Sequence, residues 1–563
     1  MIISKKSRIG AVGALAASIC AFSALGATEP AGEGIRLCSV GYLPEAPKIA
    51  TVVGAQEEGA AFEIIDADSG KVVYRGKLGE ERDNASTKER VRMADFRDLA
   101  RAGSYYMSVD GLPQSVEFRI EPDALNRSLE CIMVGFYGQR CGEAVSLDWD
   151  GTTYSHAACH MEDGYLDFYD PSKKGQIRPS TGGWHDAGDH GKYTVNSAFS
   201  CAIMLAAWER NGEALAKLRL PIPESGGAIP DYLAEVKFNL DWMLSMQFED
   251  GKVSHKLTAL RFSPMGTMPE DDHQKRYFTP ASKIATLDFA AVGCMAARVF
   301  EPYAPEYAAQ WKEAATKAWL AARDIHEERP VFKEFHTGTY MADSDSDGKW
   351  ALIEVALTLG DEYLQEWEKE RLYNMVDDDN AMFSVTWDWA NGFNLGLYSW
   401  LFSDRAKENP AAYERLKKDI LRAADAIVTN QNNHGYGRGI RVNYWGCNGA
   451  VARTSMNLQA AYLVSEDSKY IDAAYNQIAY LYGRNPFARS FVTGDGANPP
   501  MFPHHRTSEG DGIEAPWPGH LVGGANPTET EWFDEMPSYR TNETAINWDA
   551  ALAYALSMFY RPN

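Results

Sequence analysis

The spacing of apolar residues changes once along this chain, from a period of two to one near 3.6, and that change governs what it can fold into. From Gly34 to about Pro122, short runs alternate or cluster apolar residues: Ile49–Val53, Phe62–Ile64, Val72–Tyr74, Tyr105–Val109 and Val116–Ile120. Asp68-Ser69-Gly70 and Ala102-Gly103 separate them as turns, so this segment is predicted to be a small β-sandwich. After Glu121-Pro122-Asp123 the spacing becomes helical and stays so. Leu233, Val236, Leu240, Met243 and Leu244 mark one helix face, and Tyr413, Leu416, Ile420, Ile427 and Val428 another. Similar stretches begin near Leu125, Val195, Ser282, Pro305, Lys349, Met382, Pro410, Ser455, Tyr470 and Thr544, with a shorter run from Glu362 to Leu372. About a dozen helices with almost no strands predict a mainly α domain, a closed toroid of helix pairs.

Four long loops interrupt the helices, at 141–192, 255–281, 436–452 and 486–540, and all are rich in Gly, Pro, His and aromatics. Ordered loops on a rigid scaffold are where sites sit. The first ends in Thr181-Gly182-Gly183-Trp184-His185-Asp186-Ala187-Gly188-Asp189-His190-Gly191-Lys192-Tyr193. Two carboxylates three apart among glycines make a poor helix and a good tight loop. Taken alone, the pair reads equally as a turn with two solvated aspartates. Its company further along the chain changes that reading.

Charge and leader narrow the setting. A formal charge of -23 disfavours nucleic acid and anionic membranes as partners. Fifteen Trp and 28 Tyr supply flat amphipathic rings that suit sugar faces as well as cores. Residues 1–27 read as a secretory signal: Lys5, Lys6 and Arg8, an apolar run from Ile9 to Phe22, then Ala24-Leu25-Gly26 as a cleavage site. Ile19 before Cys20 is too large for the usual lipoprotein signal. No later stretch is apolar enough to span a bilayer, so an exported protein, secreted or periplasmic, is expected. Seven cysteines follow the leader, an odd and sparse set that is no disulfide framework.

Near the C-terminus stands Trp532-Phe533-Asp534-Glu535-Met536-Pro537-Ser538-Tyr539-Arg540-Thr541-Asn542-Glu543-Thr544-Ala545, and upstream Ser490-Phe491-Val492-Thr493-Gly494-Asp495-Gly496-Ala497-Asn498 runs on to Pro503-His504-His505-Arg506. With the 181–193 block these motifs, in this order, make the chain resemble glycoside hydrolase family 9, the inverting cellulases. Val40-Gly41-Tyr42-Leu43-Pro44 and Lys48 look like the start of the immunoglobulin-like domain that precedes many such enzymes. The resemblance implies an immunoglobulin-like sandwich over 34–122 and a catalytic (α/α)6 barrel over 123–563. It makes Asp189 the general base, Asp186 a second holder of the same water, and Glu543 the general acid. His504 and Arg506 match an active-site His-x-Arg, and Asp534 and Tyr539 line the same region, Tyr539 positioning Asp189 or the substrate. Inversion needs carboxyl groups about 6.5–9.5 Å apart, with an acid whose pKa is raised. The opposing reading of Glu543 is a solvated residue starting the last helix. One departure stands out: the signature ordinarily ends Asn-Ala, whereas Asp549-Ala550 occurs here, which implies altered helix packing or local charge.

Further residues suggest binding roles. Trp184, Trp387, Trp389, Tyr444, Trp445 and Trp517 are candidate sugar platforms, with core packing as the alternative for each. Cys141, Cys159, His160 and His185 suit a closed tetrahedral zinc, and family members with this N-terminal domain carry zinc at matching positions. A Cys141–Cys159 disulfide or plain packing are the rivals. Asp343, Asp345 and Asp347, ending in Gly348, suit calcium, against an N-cap cluster for the following helix. Asp377-Asp378-Asp379 reads as a solvated acidic turn. The expectation is an endo-acting β-1,4-glucanase working on cellulose or a related β-glucan as a monomer, with structural zinc, calcium and no organic cofactor. Xyloglucan, mixed-linkage glucan, or an exo-glucosidase or glucosaminidase activity remain open within the same fold. A non-catalytic carbohydrate-binding protein is the other class, and the intact carboxylates argue against it.

Overall fold

The computed structural model describes residues 34–54, 57–326, 332–377 and 382–562. The leader at 1–27, and Asp378 and Asp379 of the acidic turn, lie outside them. Two four-stranded antiparallel sheets form the N-terminal sandwich. One runs Ile35–Arg36, Ile49–Val53, Glu89–Asp95, Arg82–Asn84; the other runs Val72–Lys77, Ala61–Asp66, Gly103–Val109, Phe118–Ile120. Val52, Phe62, Ile64, Val91, Tyr105, Met107 and Phe118 alternate inward and close the core. Glu89–Asp95, in the middle of its sheet, has no counterpart among the predicted runs. Its arginines hid the alternation: Arg92 is buried, satisfied by Gly79 O at 3.0 Å and paired with Glu81.

The helical domain is a ring within a ring. Its inner helices are Thr194–Leu215, Lys283–Phe300, Ser344–Thr358, Phe393–Leu401, Cys447–Ser465 and Ile546–Ser557. Each packs on its neighbour, the fourth reaching the fifth through Tyr398 Oη to Asn457 Oδ1 at 2.8 Å, and the last packs on the first to close the (α/α)6 barrel. Every residue of Ile546–Ser557 is buried, as are the first fifteen of Cys447–Ser465. Helices surrounded on all sides carry apolar or small residues all round. Outer helices such as Pro410–Asn432 bury one stripe, Leu416, Ile420, Ala423, Ala424 and Ile427. The expected helix from Met382 is an extended stretch instead, because Asp419 accepts the backbone N–H groups of Met382 and Phe383 at 2.7 and 2.6 Å.

The sandwich is fastened to the barrel by buried polar contacts. Tyr475 donates to Gly41 O at 3.0 Å, Thr51 Oγ1 donates to Gly435 O at 2.9 Å, and Arg484 Nε donates back to Thr51 Oγ1 at 3.1 Å. Ser86 donates to Glu529 across the same seam, and on the barrel side Glu529 pairs with His434 at 2.8 Å.

Candidate active site

The 181–193 loop enters the barrel mouth with Gly182 and Gly183 at φ of +93° and +75°, angles that favour glycine. Gly188 is fixed by space: a Cβ there would lie 2.0 Å from His504 O. The chain's far end docks onto this loop. Ala187 and Ala545 bridge antiparallel, and Ile546 N donates to Asp186 O at 3.0 Å. Glu543 itself is held by His504 on one side and by Gly523, whose N–H donates to its carbonyl at 2.9 Å. It therefore lies before the last helix, in extended backbone, rather than solvated at the helix start.

Asp186, Asp189 and Glu543 line one cleft of about 410 Å³. Asp186 is engaged at both oxygens: Asn196 donates to Oδ1 at 2.7 Å and Tyr340 to Oδ2 at 2.6 Å. Asp189, at the cleft wall, accepts Gly191 N–H and Tyr193 O–H on Oδ2, at 2.9 and 3.1 Å, so neither bond occupies Oδ1. Burial, then the charge of Asp189, pushes the Asp186 carboxyl well above the usual range, against the two hydrogen bonds. Glu543 is likewise raised well above the carboxylate range, by burial first and then by Asp189 and Asp186, with Arg506 opposing. One corner thus brings together Asp189, with one oxygen in no protein hydrogen bond, and Glu543, whose acid form burial favours, a pairing suited to general acid–base chemistry.

Several sequence-predicted residues meet here. Trp445, 46% exposed, stands beside Glu543 and meets Tyr539 edge-on at 5.2 Å. Tyr444 and Trp389 also line the cleft. Arg506 donates to Gly188 O at 2.5 Å and to Ser263 O at 2.9 Å, bracing the loop between the two aspartates. His504 Nδ1 bonds Met536 O at 2.7 Å, and burial lowers its pKa. Nδ1 donates to that carbonyl, and burial favours the neutral ring, in which Nε2 is the acceptor. The hydroxyl on Asp189 comes from Tyr193, not Tyr539.

Others do not reach the cleft. Trp184 is buried with Nε1 on Glu235 at 2.9 Å and its ring against Phe136. Trp387 is buried between Phe199 and Tyr398, and Trp517 is buried against Tyr154 and His156. All three are core residues with no face for a sugar. Asp534 points away as well: it accepts Arg489, the N–H groups of Met501 and Phe502, and Asn542. It ties the 500–502 turn to the residue before Glu543. Asp549 accepts Leu521 N–H at 2.7 Å and lies 3.3 Å from His520 Nδ1, so the departure from Asn is local charge met by a buried histidine.

Sequence reading missed Tyr193, Asn196, Tyr340, Phe262, Asp388, Arg453, Asn547 and Trp548, all in or beside the cleft. Phe262 stands 47% exposed at the mouth. Asn196 and Tyr193 lie within ten residues of Asp186, the one signal that proximity offered.

Cys141, Cys159, His160 and His185 come together with their donor atoms within 4.8 Å of one another. Cys141 Sγ is 3.9 Å from Cys159 Sγ and 3.6 Å from His160 Nδ1, and Cys159 Sγ is 3.8 Å from His185 Nε2. A tetrahedron with zinc bonds of about 2.0–2.3 Å has edges of roughly 3.3–3.8 Å, so the four donors fit the ion. A disulfide needs about 2.05 Å, and both thiols are free. Burial works against a Cys141 thiolate, but the hydrogen bond with Cys159 and the charges of Lys192 and Arg276 outweigh it and bring the pKa to about 6. The aspartates at 343–347 do not converge. Asp343 caps the helix Ser344–Thr358, Asp345 pairs with Lys349 and Arg371 at the surface, and Asp347 turns inward beside Asp288.

A helical toroid whose mouth gathers three acidic side chains beside exposed aromatic rings fits a hydrolase of polymeric sugars. The family model for glycosyl hydrolase family 9 matches residues 126–556, and that for the cellulase N-terminal ig-like domain matches 30–114. The chain belongs to glycosyl hydrolase family 9. It is 42% identical over 537 residues to Endoglucanase D of Acetivibrio thermocellus, covering 94% of this chain and 84% of that protein. It is 33% identical to a xyloglucan-specific endo-beta-1,4-glucanase of Bacteroides ovatus, covering 92% of both. A metagenome-derived family 9 endoglucanase superposes with a TM-score of 0.86 at 34% identity, covering 93% of this chain and 98% of that one. A Zn-binding triple mutant of the family 9 endoglucanase J30 superposes at 0.85 with 29% identity, covering 92% and 100%.

Proposed function

We propose that the protein is an endo-acting, inverting β-1,4-glucanase. Asp189 is the base that draws a proton from water, Asp186 steadies that water, and Glu543 protonates the departing oxygen. The observation that carries this reading is the asymmetry of the site: Asp189 keeps an oxygen clear of protein donors, while Glu543 is buried beside two other carboxyl groups, which favours its acid form. Exposed Phe262 at the mouth and Trp445 and Tyr539 beside Glu543 suit an extended glucan chain. Proton NMR of fresh product should show the α-anomer from a β-linked glucan; a β-anomer would sink the inverting assignment. Soluble cellulose derivatives, mixed-linkage glucan and xyloglucan, compared with product sizes, separate endo from exo action. They also test the xyloglucan specificity named for the Bacteroides relative. Tyr340→Phe, which removes a short, partly buried hydrogen bond from Asp186, should lower kcat about 10- to 100-fold with KM nearly unchanged. An unaltered kcat would remove Tyr340 from the water-holding apparatus.

Zinc at Cys141, Cys159, His160 and His185 is part of this reading. Bound there it would brace the loop that carries Asp186, since Cys141 N donates to Gly183 O at 2.8 Å and His185 adjoins Asp186. A hard cation in the 343–347 region would centre on Asp347 and Asp288, each with a buried oxygen lacking a protein partner. Among the described residues no helix is long and apolar enough to cross a membrane. Export through the 1–27 leader, action as a monomer, and division into a 34–122 sandwich and a 123–563 catalytic domain complete the proposal.

A further inference from the structure

Lys256 is a fully buried lysine that the acid–base chemistry above does not use. It lies in a three-stranded sheet directly opposite Tyr193. Its Nζ donates to Thr337 Oγ1 at 2.8 Å and to Gly338 O at 2.7 Å, and among the described residues no carboxylate pairs with it directly. The segment it grips then reaches the site: Gly338 N–H donates to Tyr193 Oη at 3.1 Å, and Tyr193 donates to Asp189 Oδ2 at 3.1 Å. Gly338 fits because the Tyr193 ring passes where a side chain would begin, 3.1 Å from an ideal Cβ. The Tyr193, Phe332 and Phe335 rings surround the ammonium at 5.7, 5.6 and 5.1 Å. The titratable groups near it are Asp189 and Tyr193 from the catalytic segment and His255, the residue before its strand. Phe332, Phe335 and Thr337 of the covering loop, and Thr279 of the neighbouring strand, carry no charge.

An ammonium with no direct counter-ion is costly to bury. Three carboxyl groups crowd the cleft beside it, with Arg506 near Glu543 and Arg453 on the cleft wall as further cations. We infer that Lys256 is the positioning residue of the base: it anchors the loop that orients Tyr193 on Asp189 and places a buried positive charge beside that carboxylate. This inference rests on Asp189 being the base. Burial lowers the Lys256 pKa to about 8, with the charge of Asp189 opposing, so the ammonium is present throughout the acidic and neutral range.

Lys256→Met, close in length but neutral, should lower kcat on a soluble β-glucan about tenfold or more with KM within about threefold. Removing a cation near Asp189 favours protonation of the carboxylate, so the acid limb of kcat/KM should move to higher pH. Tyr193→Phe should show a similar loss in kcat, and adding Lys256→Met to it should cost less than either change alone, since both act on one chain of contacts. Lys256→Gln, which keeps a donor for Thr337 and Gly338, should shift the acid limb with a smaller loss in kcat, and it covers the case in which the Met variant does not fold. Folded variants with unmoved limbs and kcat within about threefold overturn the inference, as does failure of both to fold, which would make Lys256 a residue of stability alone. Asp189→Asn separates the two claims. If that variant keeps activity, the base assignment falls; if it is inactive while Lys256→Met is normal, only the role of Lys256 falls.

Discussion

Glu543→Gln should lower kcat on a natural β-glucan by about 10³- to 10⁴-fold, the upper range for losing a general acid. The fold should be unaffected, because Glu543 is held in place by its backbone. Gly523 donates to its carbonyl, and the neighbouring Ala545 bridges Ala187, and an amide side chain disturbs neither. In the proposed mechanism the substitution removes the proton that the departing oxygen needs. A substrate with a good leaving group, such as a nitrophenyl glycoside, should therefore lose far less. The pH profile gives the sign. Burial and two neighbouring carboxylates raise the Glu543 pKa well above the ordinary value, so the acid form persists into the pH range where free glutamate is ionised, and activity falls as pH rises through that raised value. In Glu543→Gln, assayed on the activated substrate, this alkaline limb should vanish. A variant with normal turnover of natural glucan, or one that keeps the alkaline limb, would assign the acid elsewhere.

The carboxylates were readable in advance because the chemistry demands their residue type within long, ordered motifs. Their supports were not. Tyr340 lies 154 residues from Asp186 and Lys256 lies 67 from Asp189, and each gains its role from packing that no local pattern encodes. The tryptophans show the same limit from the other side. Trp184 and Trp517 sit in glycine- and proline-rich loops, yet both are buried, because those loops fold back and add their rings to the continuous main core. Trp445 lies in a similar loop and stays open, since Gly446 and Gly449 pack closely on Trp548 and turn the chain outward. Asp534 carries an acidic side chain in a catalytic motif but spends its oxygens on backbone N–H groups. The sandwich was legible from alternation except where arginine occupied an inward position. The barrel was legible because the inner helices are apolar all round, although the helix Cys447–Ser465 begins eight residues earlier than its apolar pattern, at a left-handed Gly446.

Removing zinc, by chelation or by Cys159→Ser, should cost several kcal/mol of stability and lower Tm by on the order of 5–10 °C, with a smaller effect on kcat measured well below the transition. The four donors come from three points along residues 141–185, and the loop between them carries few regular elements: one hairpin, Val145–Trp149 with Thr152–His156, and a single short turn of helix. An ion at their centre would close that loop onto the segment holding Asp186 and Asp189. Without it, two buried thiols, the buried His185 and the half-buried His160 are left facing one another. Lys192 and Arg276 would also lose the anionic ligands they face, keeping Asp163 as their shared carboxylate. The loss should therefore appear first as loosening around 141–193, seen as faster amide exchange there than in the inner helices. Metal analysis of the purified protein should find about one zinc per chain, and zinc added back to the chelated protein should restore Tm. A metal-free protein with full thermal stability, or a Cys159→Ser variant that melts like the parent, would reduce the four residues to ordinary packing. The catalytic loop would then depend on Lys192, which holds Ser180 O and Gly182 O at 2.9 and 2.8 Å, and on the Ala187–Ala545 bridge for its shape.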